Sequence, residues 1–560
     1  MIWSDLLTSL ATTSTANTPD LAGNTGLATI DWVVIAIYGL GMVVMGVQIG
    51  RKQRSAEDYY IGSGRLGSIA VGISIQASLL STISYLGFPS EMINKGPATL
   101  VGILSLPLAY VIVGYFLIPR IMARRITSAY EIIEEHLGLG PRLITVTMFL
   151  ALRLVWMGLM VHIASLAVVT MLGLDARYVL WVVIVCSVTA IAYTAVGGLR
   201  AVVITDVIQF VILMAGALIT IGLISFHLKG FSWIPTEWSP HWDKQPILSF
   251  DPRVRVTVIG SLINYSLWWI ATAGADQTTI QRFMSTGSAK KARKAFLINA
   301  WSDVAVMVML GLVGFCLLGF FASNSQLTDG SLDDADTLFP LYIATQLPPV
   351  VRGLVVAAMF AAVMSSLDSG INSVTAVVQV DLIDRFSPRG RAAAALATQP
   401  PEGRNAAIGS THNLKTARIL SIVIGVVIIW LNTELMPEIP GNIIKMTQTT
   451  VGILVCPMFG VFLLALYVRN ATSFGAIVGT CYSVGTAIAI GFWDSITGGP
   501  ALSFQWLGPC ALTVSLLVGT AASCLPAPRR GLTYILAAAG ALAPLICFFI
   551  LAFRASSPTL

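Results

Sequence analysis

Apolar blocks of twenty or more residues recur along the chain, separated by short polar punctuation. A helix needs about 20 apolar residues to cross a hydrocarbon core of about 30 Å. Read that way, the blocks predict an all-α membrane protein of about fourteen transmembrane helices. They fall near 30–50, 68–90, 97–121, 142–172, 176–196, 200–226, 255–281, 294–322, 340–382, 415–433, 440–468, 471–493, 506–525 and 532–553. The 340–382 block exceeds one span, so a short outer helix is expected before a turn near Pro348–Pro349. Charged residues make up 11% of the 560, against 56% hydrophobic, whereas a soluble domain carries roughly 25% charge. The mean hydropathy is +0.81, and too few polar residues remain to build a water-facing surface.

The formal charge of +6 does not point to nucleic acid, because the basic residues sit in short loops where they orient the spans. With the N-terminus outside, the inner loops carry Arg51/Lys52/Arg54/Arg65, Arg120/Arg124/Arg125, Arg282/Lys290/Lys291/Arg293/Lys294, Arg385/Arg389/Arg391/Arg404 and Arg529/Arg530. Outer loops are acidic or nearly neutral, with Asp329, Asp333, Asp334 and Asp336 in one and Glu434 and Glu438 in another. The exception is 227–254, with Lys229, Lys244 and Arg253. An even number of spans puts both termini outside a plasma (inner) membrane. No G-x-x-x-x-G-K-[ST] motif occurs, so ATP-driven pumping has no support and any energy would come from an ion or solute gradient. The seven cysteines show no paired metal spacing and the five histidines are scattered, which argues against a metal enzyme.

Polar residues inside apolar blocks carry the functional signal, because each is costly there unless satisfied. The segment from Ser74 to Gly87 holds Ser74, Gln76, Ser78, Ser81, Thr82 and Ser84, with Gly87 and Pro89 nearby. It reads either as packing glue between helices or as a broken helix whose freed carbonyls coordinate a cation. Ser365, Asp368, Ser369 and Asn372 recur at i, i+3, i+4 and i+7 and so share one helical face. Hydroxyls and a carboxylate on one face of an apolar helix are the hard donors Na⁺ prefers, and Asp368 must be paired, protonated or bound to an ion. Asp206 either pairs with an arginine such as Arg200 or completes a second cation site. Arg153, near mid-membrane, either pairs with Asp303 or Asp276 or faces a cavity and binds an anionic solute. The run Trp268-Trp269-Ile270-Ala271-Thr272-Ala273-Gly274 can be ordinary packing or a helix able to unwind.

The segment Gly197-Gly198-Leu199-Arg200-Ala201-Val202-Val203-Ile204-Thr205-Asp206-Val207-Ile208-Gln209 resembles the signature of the sodium:solute symporter family. Asp276-Gln277-Thr278-Thr279-Ile280-Gln281-Arg282 and the Ser365-Ser366 helix ending in Val380-Asp381-Leu382 add to the likeness, which covers about 30 to 470. The family includes sodium-coupled glucose, proline, sialic acid, iodide, monocarboxylate and multivitamin transporters. The resemblance implies a leucine-transporter-type fold of inverted five-helix repeats, at 68–226 and 255–468. Residues 1–67 would hold the outer N-terminus, a leading helix and a basic loop. An outer loop at 227–254, a mobile inner loop at 383–414 and three accessory helices within 469–560 complete the organisation.

The resemblance also implies a Na⁺ site formed by the carbonyls of Ala77, Leu80 and Ala362 and the hydroxyls of Ser365 and Ser366. A second cation site would use Asp206, Asp368 and Ser369, with Asp368 standing where relatives usually carry a hydroxyl. In the sugar-transporting branch an asparagine and a tyrosine contact and gate the sugar, and Trp269 and Thr272 stand at those positions here. Gly87-Phe88-Pro89-Ser90-Glu91 and Thr127-Ser128-Ala129-Tyr130-Glu131 are closer in wording to the iodide, monocarboxylate and multivitamin branch. The expected function is therefore Na⁺ symport of a small organic anion such as a monocarboxylate, by alternating access. The solute would lie against Gln76, Ser81, Thr272, Gln448 and Arg153. The alternatives are a sugar or sialic acid symporter and, in another class, a solute sensor on a transporter fold. The expected partners are Na⁺, a small solute and the lipid bilayer, with no nucleic acid.

Overall fold

The computed structural model describes residues 27–525 except 52, 54, 125, 173, 241, 243–247, 325–334, 389–413 and 435–442. The described residues are helical with short connections: α1 (Thr29–Gly50), α2 (Ser68–Leu79), α3 (Thr82–Lys95), α4 (Pro97–Met122), α5 (Leu139–Met171), α6 (Val179–His227), α7 (Val258–Ala275), α8 (Gln277–Ser285), α9 (Ala289–Ser323), α10 (Ala335–Gln346), α11 (Val351–Val377), α12 (Leu414–Glu434), α13 (Ile443–Tyr467), α14 (Ser473–Gly491) and α15 (Leu507–Ser523). Nine helices among the described residues are long and apolar enough to cross a bilayer, or ten if the bent α2–α3 pair is one span. Two of the expected spans are merged in α6, and the expected helix at 532–553 lies outside the described residues. The short outer helix expected before Pro348–Pro349 is α10, and α11 enters immediately after the turn.

At about 1.5 Å per residue, the 49 residues of α6 would far overreach a hydrocarbon core of about 30 Å. The run bends at Gly198, whose φ of 53° and ψ of −164° are non-helical. A side chain there is excluded twice, by the left-handed φ and by space. An added Cβ would lie 2.8 Å from the Tyr59 carbonyl oxygen and from Gln53 Nε2. Gly198→Ala is expected to lower stability by about 2 kcal/mol or more, read as a fall in melting midpoint in detergent; an unchanged midpoint contradicts it.

The burial of each helix follows its side chains. Along α1, large apolar residues such as Ile37, Leu40 and Val44 are exposed, as expected of a helix facing lipid. By contrast, α11 is buried over 89% of its most apolar window and forms the axis of the bundle, packed on α1, α2, α5, α6 and α12. Its N-terminal end is fastened by Asp31, a fully buried carboxylate on α1. Asp31 accepts from the backbone N–H groups of Val350 (2.7 Å) and Gly353 (3.1 Å) and from Arg352 Nε (3.0 Å). A carboxylate at a helix N-terminus meets both free N–H groups and the positive end of the helix dipole.

At the basic-loop end, an ionic cluster joins the short helix Glu131–Leu137 to the start of α5 and the end of the α11 run. Arg142 donates to Asp381 at 2.6 Å and also to Glu134, and Arg385 donates to Glu134 at 2.6 Å. Burial pushes the Glu134 carboxyl up, but the guanidinium groups of Arg385 and Arg142 outweigh it and hold the group below its ordinary 4.5. A depressed carboxyl stabilises the fold above its unfolded value and loses that contribution as pH falls through its folded value. Glu134→Gln is thus expected to cost roughly 1–2 kcal/mol near neutrality and progressively less as pH drops below 4.5. Melting midpoints of both proteins across that range check it.

Candidate functional site

The hydroxyl-rich second block is a broken helix. Leu80 (φ −77°, ψ 120°) and Ser81 (φ −116°, ψ 169°) are extended, and the axis turns by 69° between α2 and α3. The last carbonyls of α2 therefore have no partner further along the helix. The buried hydroxyls of α11 supply partners across the gap. Ser365 Oγ donates to the Ala77 carbonyl at 2.9 Å and to its own Ala362 carbonyl at 3.1 Å. Ser366 Oγ lies 3.2 Å from the Leu80 carbonyl and 3.5 Å from that of Ser78. All five oxygens expected of a Na⁺ site thus come from residues in contact, and both serines are 2% exposed. Carbonyl and hydroxyl oxygens in a dry pocket form a hard donor set without net charge, suited to a monovalent alkali ion. A hydroxyl bonded to a carbonyl needs only to turn its proton away to offer a lone pair.

One turn further along α11, Asp368 and Ser369 meet Asp206 around Arg282. The Arg282 guanidinium is fully buried and bonds Asp206 Oδ2 (3.1 Å), Ser74 Oγ (2.7 Å), Ser369 Oγ (2.5 Å) and the Thr278 carbonyl (3.0 Å). Ser78 Oγ is 2.8 Å from Ser369 Oγ, and Asp368 accepts from Tyr193 OH at 2.7 Å and Ser369 Oγ at 3.1 Å. Asp206 Oδ1 has no hydrogen-bond partner among the described residues. The expected trio is brought together, and Asp206 is paired, though with Arg282 and not Arg200. Arg282, Ser74, Ser78 and Tyr193 were not anticipated in this cluster. A buried carboxylate needs a buried cation, and Arg282 at the end of the signature-like segment from Asp276 was the signal for it.

A cavity of about 220 Å³ opens from the break. Its walls come from the α2–α3 break (Gln76, Leu80, Ser81, Ser84), α5 (Trp156), α7 (Asn264, Tyr265, Trp268, Trp269), α9 (Asp303), α13 (Val455, Cys456) and the turn into α15 (Phe504, Leu507). Leu80 lines the cavity, and its carbonyl accepts from Ser366, so the two sites share the same unwound residue.

Gln76 and Ser81 line this cavity as expected. Thr272 does not: its hydroxyl turns back onto the Trp268 and Trp269 carbonyls of its own helix at 2.8 and 3.3 Å. Neither does Arg153, which is 5% exposed and pairs with Asp276. Of the two readings of Arg153, the structure shows the ion pair, with Asp276 and not Asp303, in place of the expected solute contact. The Gln448 side chain lies outside the described residues.

The broken α2–α3 helix crossing the central hydroxyl-lined α11, with an aromatic cavity beside the break, defines a secondary-transporter architecture. The same fold is found in the substrate-bound, outward-open structure of a Na⁺-coupled sialic acid symporter. That structure has a TM-score of 0.71 at 24% identity, covering 90% of this chain and 99% of that one. The sodium:solute symporter family profile matches residues 59–482, well over half the chain, and the chain belongs to that family. Among curated relatives, the sodium/sialic acid symporter SiaT of Proteus mirabilis is 26% identical, covering 90% of this chain and 97% of its own length. The human sodium/iodide cotransporter is also 26% identical, covering 88% of this chain but 73% of its own. The protein is a multi-pass membrane symporter coupled to Na⁺, and not an enzyme.

Proposed function

We propose that this chain carries a small polyhydroxylated solute of the sugar or sialic acid type together with Na⁺, by alternating access. The observation that carries the ion half is the meeting of the Ala77 and Leu80 carbonyls with the Ala362 carbonyl and the Ser365 and Ser366 hydroxyls. For the solute, the near full-length match to a sialic acid symporter favours this reading over a monocarboxylate. Aromatic walls with a few amide, hydroxyl and carboxylate groups also suit a ring bearing hydroxyls. Na⁺ would enter from outside a plasma membrane, with both termini outside, and favour the state that presents the cavity outward. Solute then binds against Gln76 and Ser81, beside the ion. Because Leu80 belongs to both sites, each occupant orders the break for the other, a linkage typically worth about 1–3 kcal/mol. The inner ionic cluster around Glu134 closes the opposite end until the repeats rock.

Asp206, Asp368 and Ser369 form the proposed second cation site. Arg282 is paired with Asp206, whereas Asp368 accepts only hydroxyl donors such as Tyr193 and Ser369, so a cation, or a proton, there would balance its charge. Uptake into proteoliposomes is expected to need an inward Na⁺ gradient, and uptake that is unchanged when K⁺ replaces Na⁺ sinks the proposal. Asp368→Ser is expected to lower the number of cations moved per solute, read from the reversal potential.

A further inference from the structure

The cavity wall contains one charged side chain among the described residues, and it is a carboxylate. Asp303, on α9, is 8% exposed and lines the cavity. Its Oδ1 accepts from Gln76 Nε2 at 2.9 Å, while its Oδ2 has no hydrogen-bond partner among the described residues. The Oε1 of Gln76 is likewise without one. A buried acceptor is costly to leave unmade, and both of these belong to residues that line the cavity, although the two oxygens themselves are enclosed. The neighbouring cations are already committed. Arg153 is bound to Asp276, Arg282 to Asp206, and Arg255 to Glu91 at 2.6 Å.

We infer that Asp303 is a specificity-determining residue that selects solutes presenting an N–H or O–H donor, neutral or cationic, and rejects solutes carrying a carboxylate. An anion entering this cavity would face Asp303 across low-dielectric aromatic walls, where like charges are screened much less than in water, and would leave both free acceptors unmatched. A hydroxyl or ammonium group satisfies Oδ2 directly. The cavity aromatics Trp268 and Trp269 add ring faces on which sugar C–H groups or a cation can rest. The inference deepens the proposed sugar-type reading and rests on it, but it divides that class: neutral sugars and amino sugars are accepted, and sialic acid itself is excluded.

The test uses pairs that differ in charge at one group: N-acetylneuraminic acid against its near-isosteric amide, and glucosamine against N-acetylglucosamine, which also adds an acetyl group. Thermal shift of the purified full chain is measured in Na⁺ and in K⁺. A Na⁺-dependent shift without any solute reports the ion site separately, so failure of the symport reading is recognisable on its own. The expected result is Na⁺-dependent stabilisation by the neutral and cationic members and none by the acid. In Asp303→Asn, binding of glucosamine should weaken by about tenfold or more, and the acid should gain binding relative to its amide. Asp303→Glu, which keeps the charge, should keep the ranking even if all affinities fall. The inference is overturned if the acid binds the native chain more tightly than its amide. It is equally overturned if no neutral or cationic member binds, or if Asp303→Asn leaves the ranking unchanged.

Discussion

Ser365→Ala is expected to weaken apparent Na⁺ affinity by about tenfold to a hundredfold, and Na⁺-driven uptake at physiological Na⁺ with it. The magnitude follows from what the hydroxyl does. A hydrogen-bonding group serving a charge contributes about 1.5–3 kcal/mol, and 1.4 kcal/mol corresponds to a factor of ten. Ser365 is nearly fully buried, and its oxygen is 2.9 Å from the Ala77 carbonyl across the break. Water therefore cannot easily replace the missing ligand. Removal also takes away a bond joining α2 to α11, so part of the loss will show in stability. The distinguishing measurement is Na⁺-dependent thermal stabilisation: the native midpoint should rise with Na⁺ and the variant's much less, whatever their midpoints in K⁺. Thr513 serves as the control, since its exposed hydroxyl bonds only the Pro509 carbonyl of its own helix, and Thr513→Ala should titrate like the native chain. A Ser365→Ala protein with native Na⁺ dependence removes the ion site from this position.

Arg153→Leu is expected to destabilise the protein by about 3–5 kcal/mol, the usual consequence of leaving one half of a buried ion pair behind. The side chains of Arg153 and Asp276 are 7% and 3% exposed. Asp276 also caps α8, accepting from the Thr278 N–H at 2.9 Å, so an unbalanced charge here disturbs the junction of α7 and α8. The double variant Arg153→Leu/Asp276→Asn should recover most of the loss, because asparagine keeps the cap and no buried charge remains. Melting midpoints of the single and double variants decide between roles. Were Arg153 a solute ligand, the single variant would melt like the native chain and fail only in solute binding.

Much of the oxygen cluster proposed as the ion site was legible in the sequence. Ser365 and Ser366 stand out because a hydroxyl in an apolar helix is conspicuous, and the density of serines from Ser74 to Ser84 marked a segment unable to remain an ordinary span. The short helix before Pro348–Pro349 was legible for a similar reason, since prolines limit where a long apolar block can continue. The solute cavity was much less so. Thr272 and Arg153 are polar residues at the right depth, yet one bonds its own helix and the other a neighbouring acid. The sequence offers Asp303 only as a partner for Arg153, although it stands in the cavity wall. Arg282 was counted among loop charges but lies fully buried against Asp206, 76 residues away.

Hydropathy by itself determined that the chain spans a membrane as helices, because the cost of an apolar block in water or of a charge in lipid depends on local composition. The pattern of hydroxyls likewise determined which two segments could offer oxygens to an ion. Only the tertiary structure decided which buried charges neutralise each other and which remain facing the solute. That depends on the rotation of each helix about its axis and on which helix lies beside it. Both are outcomes of packing among segments far apart in the chain, and no local pattern encodes them.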